Sequence, residues 1–228
     1  MGRLDVVQDL LERGAEKNKP WGMFTPFSMA CAEGHLEIVQ FFFSKGIDID
    51  DAPAITYERF LEQENGFGDT PLYLACYHNH MEVVRFLLSK GADTDKVLAN
   101  HGKTPLHAAC YLNDLELIET LLAAGADIHK GIMSGETILF TPLHDAVLGM
   151  LEIARRKRGR RRSMTEGIPL VDWEVVKFLV EKGADINYKD RAGNTPLDHL
   201  SDDPTSKRSE LQDLHNFYLE VSCRPVLK

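Results

Sequence analysis

Nothing in this 228-residue chain is apolar over the roughly 18 consecutive residues that crossing a bilayer requires, which excludes a membrane-spanning helix. The opening MGRLDVVQDLLERG alternates charged with apolar side chains, unlike the apolar core of a secretory leader. Val6 stands where the myristoylation pattern needs Ser or Thr. Cysteine is scarce, with 4 residues in all, too few for a disulfide scaffold in a chain of this length. No HExxH, Cys-x-x-Cys or zinc-spaced His/Cys cluster is present, and no GxSxG, Walker or Rossmann motif. Asp145 beside His144 and Asp198 beside His199 are adjacent in sequence, and helical neighbours do not face each other, so neither pair reads as a catalytic dyad. The expectation is no enzyme, no catalytic residue, no metal and no cofactor. The 43% hydrophobic and 27% charged content is that of a globular protein and excludes wholesale disorder. Lys plus Arg is 26 against 35 Asp plus Glu, a net charge of −9. A soluble, cytoplasmic protein is expected.

What stands in place of those signals is a repeat. Thr-Pro followed by an apolar residue recurs at Thr25-Pro26-Phe27, Thr70-Pro71-Leu72, Thr104-Pro105-Leu106, Thr141-Pro142-Leu143 and Thr195-Pro196-Leu197. A second block reads LDVVQDLLERGAE from Leu4, LEIVQFFFSKGID from Leu36, MEVVRFLLSKGAD from Met81, LELIETLLAAGAD from Leu115 and WEVVKFLVEKGAD from Trp173. From Thr to closing Gly the step is 21 residues for Thr25–Gly46, Thr70–Gly91 and Thr104–Gly125 alike. Thr is a helix N-cap, and Pro in the first helical position loses no hydrogen bond. A turn follows, based on glycine at Gly34 and on asparagine at Asn79 and Asn113. The second helix carries apolar residues at helical spacing, such as Leu36, Ile38, Val39, Phe42 and Phe43. It ends at Gly14, Gly46, Gly91, Gly125 or Gly183, where a left-handed residue is cheapest as glycine. Helices this short are not stable alone and must stack on their neighbours.

This pattern resembles the ankyrin repeat over nearly the whole chain. The resemblance implies an all-α ankyrin-repeat solenoid of stacked helix-turn-helix units with hairpin-like fingers. The expected divisions are a half repeat at 1–24, repeats at 25–69, 70–103, 104–140 and 141–194, and a C-terminal capping repeat at 195–228. The finger of 25–69 is enlarged, and Tyr57–Glu62 reads as a short helix on it. The repeat 141–194 carries an insert at about 151–171, and Leu148, Leu151 and Ile153 extend its first helix outward. The resemblance places Cys31, Cys76 and Cys110 at the small core position six residues after each Thr. It places His107 and His144 in the turn network and Trp173 in the core.

The resemblance also implies a non-catalytic scaffold or adaptor that binds another protein through its fingers and the concave face of its first helices. By position, the finger residues are Trp21, Phe24, Phe67, Asp69, His101, Lys103 and Phe140. Those facing the groove are Tyr77, His78, Tyr111, Leu112 and Leu148. Aromatic residues dominate this set, as they do at interface hot spots. The stretch Ile132, Met133, Ile138, Leu139 and Phe140 makes one finger apolar, so it either folds against its neighbours or meets a partner.

Two departures add alternatives. The chain begins inside a repeat, so its first helix lacks half its cover and is expected to fray or to self-associate weakly. The insert carries Arg155, Arg156, Lys157, Arg158, Arg160, Arg161 and Arg162 on an otherwise acidic protein. Such a tract suits nuclear import, contact with nucleic acid or another acidic surface, or no role beyond solvation. The acidic remainder disfavours nucleic acid, and no aromatic residue interleaves the tract to stack on bases. Further alternatives are a recognition module of a larger enzyme, or a secreted bacterial effector by analogy of fold alone.

Overall fold

The computed structural model describes residues 2–22, 24–51, 70–97, 102–134, 137–159 and 173–201. The Tyr57–Glu62 stretch, Phe67, Asp69, His101, Arg160–Arg162, Cys223 and the cap beyond Ser201 lie outside these residues. The helices are α1 (Leu4–Glu12), α2 (Pro26–Ala32), α3 (Leu36–Ser44), α4 (Pro71–Tyr77), α5 (Met81–Ser89), α6 (Pro105–Leu112), α7 (Leu115–Ala123), α8 (Pro142–Gly159), α9 (Glu174–Glu181) and α10 (Asp198–Ser201). Between α7 and α8 runs an antiparallel ribbon of β1 (Ile132–Ser134) and β2 (Thr137–Phe140). It pairs Ile132 with Phe140 and Met133 with Ile138, with a bulge between Ile132 and Met133. The chain divides into two compact units, Met1–Ala109 with Glu116–Asp127, and Cys110–Leu115 with Ile128–Lys228.

In the first unit α2 packs on α3 and α4, α4 on α5, and α3 on α5. The reason lies in register. Each second helix turns the same three positions inward: Ile38, Val39 and Phe42 in α3, Val83, Val84 and Leu87 in α5, Leu117, Ile118 and Leu121 in α7. The first helices contribute Phe27, Cys31, Leu72, Cys76 and Leu106, all fully buried. Helix α1 has Val6, Val7 and Leu10 in the same register, yet none of its residues is buried. Leu10 is 51% exposed.

Carboxylates at the ends of successive helix pairs link them through the backbone. The Asp93 amide donates to Asp50 at 3.2 Å, and the Asp127 amide donates to Asp95 at 3.1 Å. The Lys17 ammonium donates to the Lys45 carbonyl at 2.7 Å, satisfying an end of α3 that has no helical partner.

In the second unit, α9 and α10 pack on α8, and β2 meets α8. Helix α8 continues unbroken from Pro142 to Gly159 and buries Leu143, Ala146, Val147, Met150 and Leu151. Its length matches the outward extension expected from Leu148, Leu151 and Ile153. Gly149 sits so close to the Tyr111 carbonyl that a Cβ there would collide with it. Trp173, expected in the core, is half-buried and stands at the N-cap position of α9 without a side-chain capping bond.

Candidate functional site

The first Thr-Pro start works through two reciprocal hydrogen bonds. The Thr25 hydroxyl accepts from the Ser28 amide at 3.1 Å while the Thr25 amide donates to the Ser28 hydroxyl at 2.9 Å. At Thr70 the hydroxyl accepts from the Tyr73 amide at 3.1 Å, and at three other starts the fourth residue takes Ser28's part with its own chemistry. The Thr104 amide donates to His107 Nδ1 at 3.1 Å, the Thr141 amide to His144 Nδ1 at 3.2 Å, and the Thr195 amide to the Asp198 carboxylate at 2.7 Å. Both imidazoles are therefore capping groups. The inter-helix turns take the expected left-handed backbone at Asn79 (φ 57°) and Asn113 (φ 56°).

These starts hold the fingers and the ends of the first helices in place. Trp21 and Phe24 form a tight hairpin, with the Trp21 amide donating to the Phe24 carbonyl at 2.8 Å. Phe24 is half-buried, but Trp21 is 81% exposed. At the end of α4, Tyr77 is 46% exposed and stacks on the buried Tyr73, ring centroids 6.0 Å apart. His78, also exposed, meets the Tyr77 ring edge-on at 5.3 Å. Lys103 is half-buried.

In the second unit Tyr111, Leu112 and Leu148 are half-buried. Phe140 is half-buried too, against the rings of His144 at 5.4 Å and His199 at 5.9 Å. Ile132 is buried, so at these two positions the apolar finger turns onto its own unit. Arg155, Arg156, Lys157 and Arg158 fall on the last turns of α8, where cations suit the negative helix end. Arg156 is exposed and pairs with Glu152 at 2.9 Å.

The buried thiols of Cys31, Cys76 and Cys110 have their pKa values pushed well up by burial, which leaves them protonated and inert. An apolar groove of about 320 Å³ opens between α1, α2 and α3, lined by Val7, Leu10, Leu11, Met29, Ile38 and Phe42. One grouping had no signal in the sequence: His144, Asp190 and His199 converge in the second unit, with His199 Nε2 2.9 Å from the Asp190 carboxylate. His199 thus pairs with Asp190 and not with its neighbour Asp198. Their separations along the chain match no ligand pattern, so only folding brings them together.

Among the described residues no helix is long and apolar enough to cross a membrane. No individually curated protein matches the chain. A family model described as ankyrin repeats (3 copies) matches residues 51–132, and a second, described as ankyrin repeat, matches 23–51. With capped Thr-Pro starts, left-handed turns and inward-facing second helices in register, the chain belongs to the ankyrin-repeat family.

Proposed function

We propose that this protein is a non-catalytic adaptor that binds a protein partner, with the exposed aromatic side chains Trp21 and Tyr77 as its anchors. The observation that carries this reading is the 81% exposure of Trp21 at a finger tip. A large apolar ring held in water is costly, and burying it against a partner recovers that cost. Tyr77 adds a second anchor whose orientation is already set by stacking on Tyr73, so little side-chain freedom is lost on binding. His78 flanks it as a polar neighbour. Tyr111, Leu112 and Leu148 extend the same kind of contact in the second unit.

Each of Trp21→Ala and Tyr77→Ala should weaken a purified partner's binding by about 2 kcal/mol or more, the scale of an interface hot spot. Trp21→Ala should leave thermal stability unchanged, and Tyr77→Ala should lower it by no more than the Tyr73 stacking contributes, about 1 kcal/mol. Titration calorimetry measures the first and a melting curve the second. Unaltered affinity in both variants overturns the assignment. The basic end of α8 supports a second reading, contact with an acidic surface, favoured by the exposed Arg156. An affinity that falls steeply with added salt separates it from the aromatic reading.

A further inference from the structure

We propose that the apolar groove between α1, α2 and α3 seats one amphipathic helix of a partner protein, with an apolar stripe flanked by Lys or Arg. Two comparisons of register show that the open place is shaped for a helix. The first is between first helices. In α2, Pro26 is exposed and Met29 half-buried. Their counterparts in α4, one and four residues after its threonine, are Pro71 and Leu74, and both are buried. Helix α4 has α2 packed beside it. On the matching flank of α2, Pro26, Met29, Ala30 and Glu33 line the groove instead.

The second comparison is between second helices. Ile38, Val39 and Phe42 of α3 are buried, with α2 packed on that helix. Val6, Val7 and Leu10 hold the same positions in α1, and none of them is buried. Val7 and Leu10 line the groove. A single helix lying there covers both the Val7 and Leu10 face and the Pro26 and Met29 flank, as α2 both covers α3 and flanks α4. The floor is apolar and the opening is about 320 Å³. Helices that dock in such grooves do so through apolar anchors at i, i+3, i+4 and i+7.

The rim decides the chemistry of the occupant. The charged side chains lining the groove are Glu16, Lys17 and Glu33. The Lys17 ammonium is already held by the Lys45 and Gly46 carbonyls at 2.7 and 3.4 Å. Glu16 and Glu33 are exposed, and their carboxylates have no ion-pair partner among the described residues. The rim is therefore acidic, and Lys or Arg flanking the apolar stripe of the occupant complements it. A second copy offering its own α1 does not. Val6 and Leu10 are exposed there, but Asp5, Asp9 and Glu12 flank them. Arg3 and Arg13 of that helix are already paired with Asp5 and Asp9 at 2.6 and 2.9 Å. Like charges would then meet across the contact, so the occupant is a different, basic helix. The groove uses neither Trp21 nor Tyr77, so this inference stands apart from the aromatic anchors.

The test uses the full chain and two synthetic peptides of about four helical turns, held helical by a cross-link on the solvent side. Both carry leucine at i, i+3, i+4 and i+7, one with Arg on its flanks and the other with Glu. Fluorescence anisotropy should give the basic peptide a dissociation constant of about 10 μM or below, and the acidic one at least about tenfold weaker binding. Leu10→Ser should weaken the basic peptide at least about fivefold. Glu16→Lys combined with Glu33→Lys should reverse the order of the two peptides. All three side chains are exposed, and circular dichroism checks that each variant folds. Bound peptide should slow amide exchange in α1 and leave α5 unchanged. No binding of the basic peptide, equal affinity for both peptides, or protection confined to other helices overturns the proposal. Wild-type affinity in the folded variants overturns it too, and if one variant does not fold the other decides. A dimer of the full chain that Leu10→Ser dissociates also overturns it, because a second copy then fills the groove.

Discussion

At the residue scale, function and stability depend on which atoms find partners. Gly34 shows how narrow the tolerance is. Its φ of +71° lies in the left-handed region, and a Cβ there would overlap the His80 ring. His80 in turn donates from Nε2 to the Ala32 carbonyl at 2.9 Å, linking one helix pair to the preceding one. Gly34→Ala meets both costs at once. The left-handed backbone costs about 1–2 kcal/mol and loss of the His80 bond about 1 kcal/mol. A loss of about 2 kcal/mol or more in urea denaturation is expected. A variant as stable as the wild type would show that the His80 contact is dispensable. Asn79 and Asn113 hold the equivalent turns without glycine because asparagine tolerates that backbone. Legibility at this scale was uneven. The capping of Thr25 and Thr70 followed from residue type alone, because the groups involved are three positions apart. The pairing of His199 with Asp190 did not, because it depends on where α10 lands. Nor did the contacts of Phe140, half-buried against His144 and His199, for the same reason.

At the scale of elements, the second helices are interchangeable in pattern while α8 is not. It runs well past the length of the other first helices, carrying the basic residues out along its last turns. Its approach to Tyr111 depends on Gly149, which a helix would otherwise replace with alanine at a gain of about 1 kcal/mol. The obstacle is a backbone carbonyl, which no side-chain rotation can move aside. Forcing a methyl into such a contact costs about 1–3 kcal/mol and should win. Gly149→Ala is therefore expected to be less stable than the wild type, by up to about 2 kcal/mol at the midpoint of a denaturant titration. A stabilised variant would mean that α8 and Tyr111 are not in contact in solution. The basic tract was legible as a charge run, but that Arg155–Arg158 belong to a helix was not. Arg and Lys are good helix formers that also populate loops, and what decides is the buried face Leu143, Ala146, Met150 and Leu151 preceding them.

At the scale of the whole molecule, stability is unevenly shared. Helix α1 carries the same apolar register as α3 and α5 and buries none of it, whereas α5 buries Val83, Val84 and Leu87 and α4 buries every residue but Tyr77. Amides in α1 should exchange with solvent at least about tenfold faster than those in α5, a difference of about 1.4 kcal/mol in opening free energy. Hydrogen exchange read by mass spectrometry gives that ratio directly. Protection of α1 equal to that of α5 would mean that its apolar groove is covered in solution. The repeat, its helix starts and stops and its buried cysteines were all determined by the sequence itself. Each is a local preference: a cap three residues away, a glycine with φ above zero, a periodicity of one helical face. Only the tertiary structure decided which of those equivalent faces is covered and which atoms distant in the chain meet. Trp21 and Tyr77 stay exposed, Phe140 turns inward, and His144, Asp190 and His199 converge, because burial and side-chain approach are properties of neighbours that the local pattern does not specify.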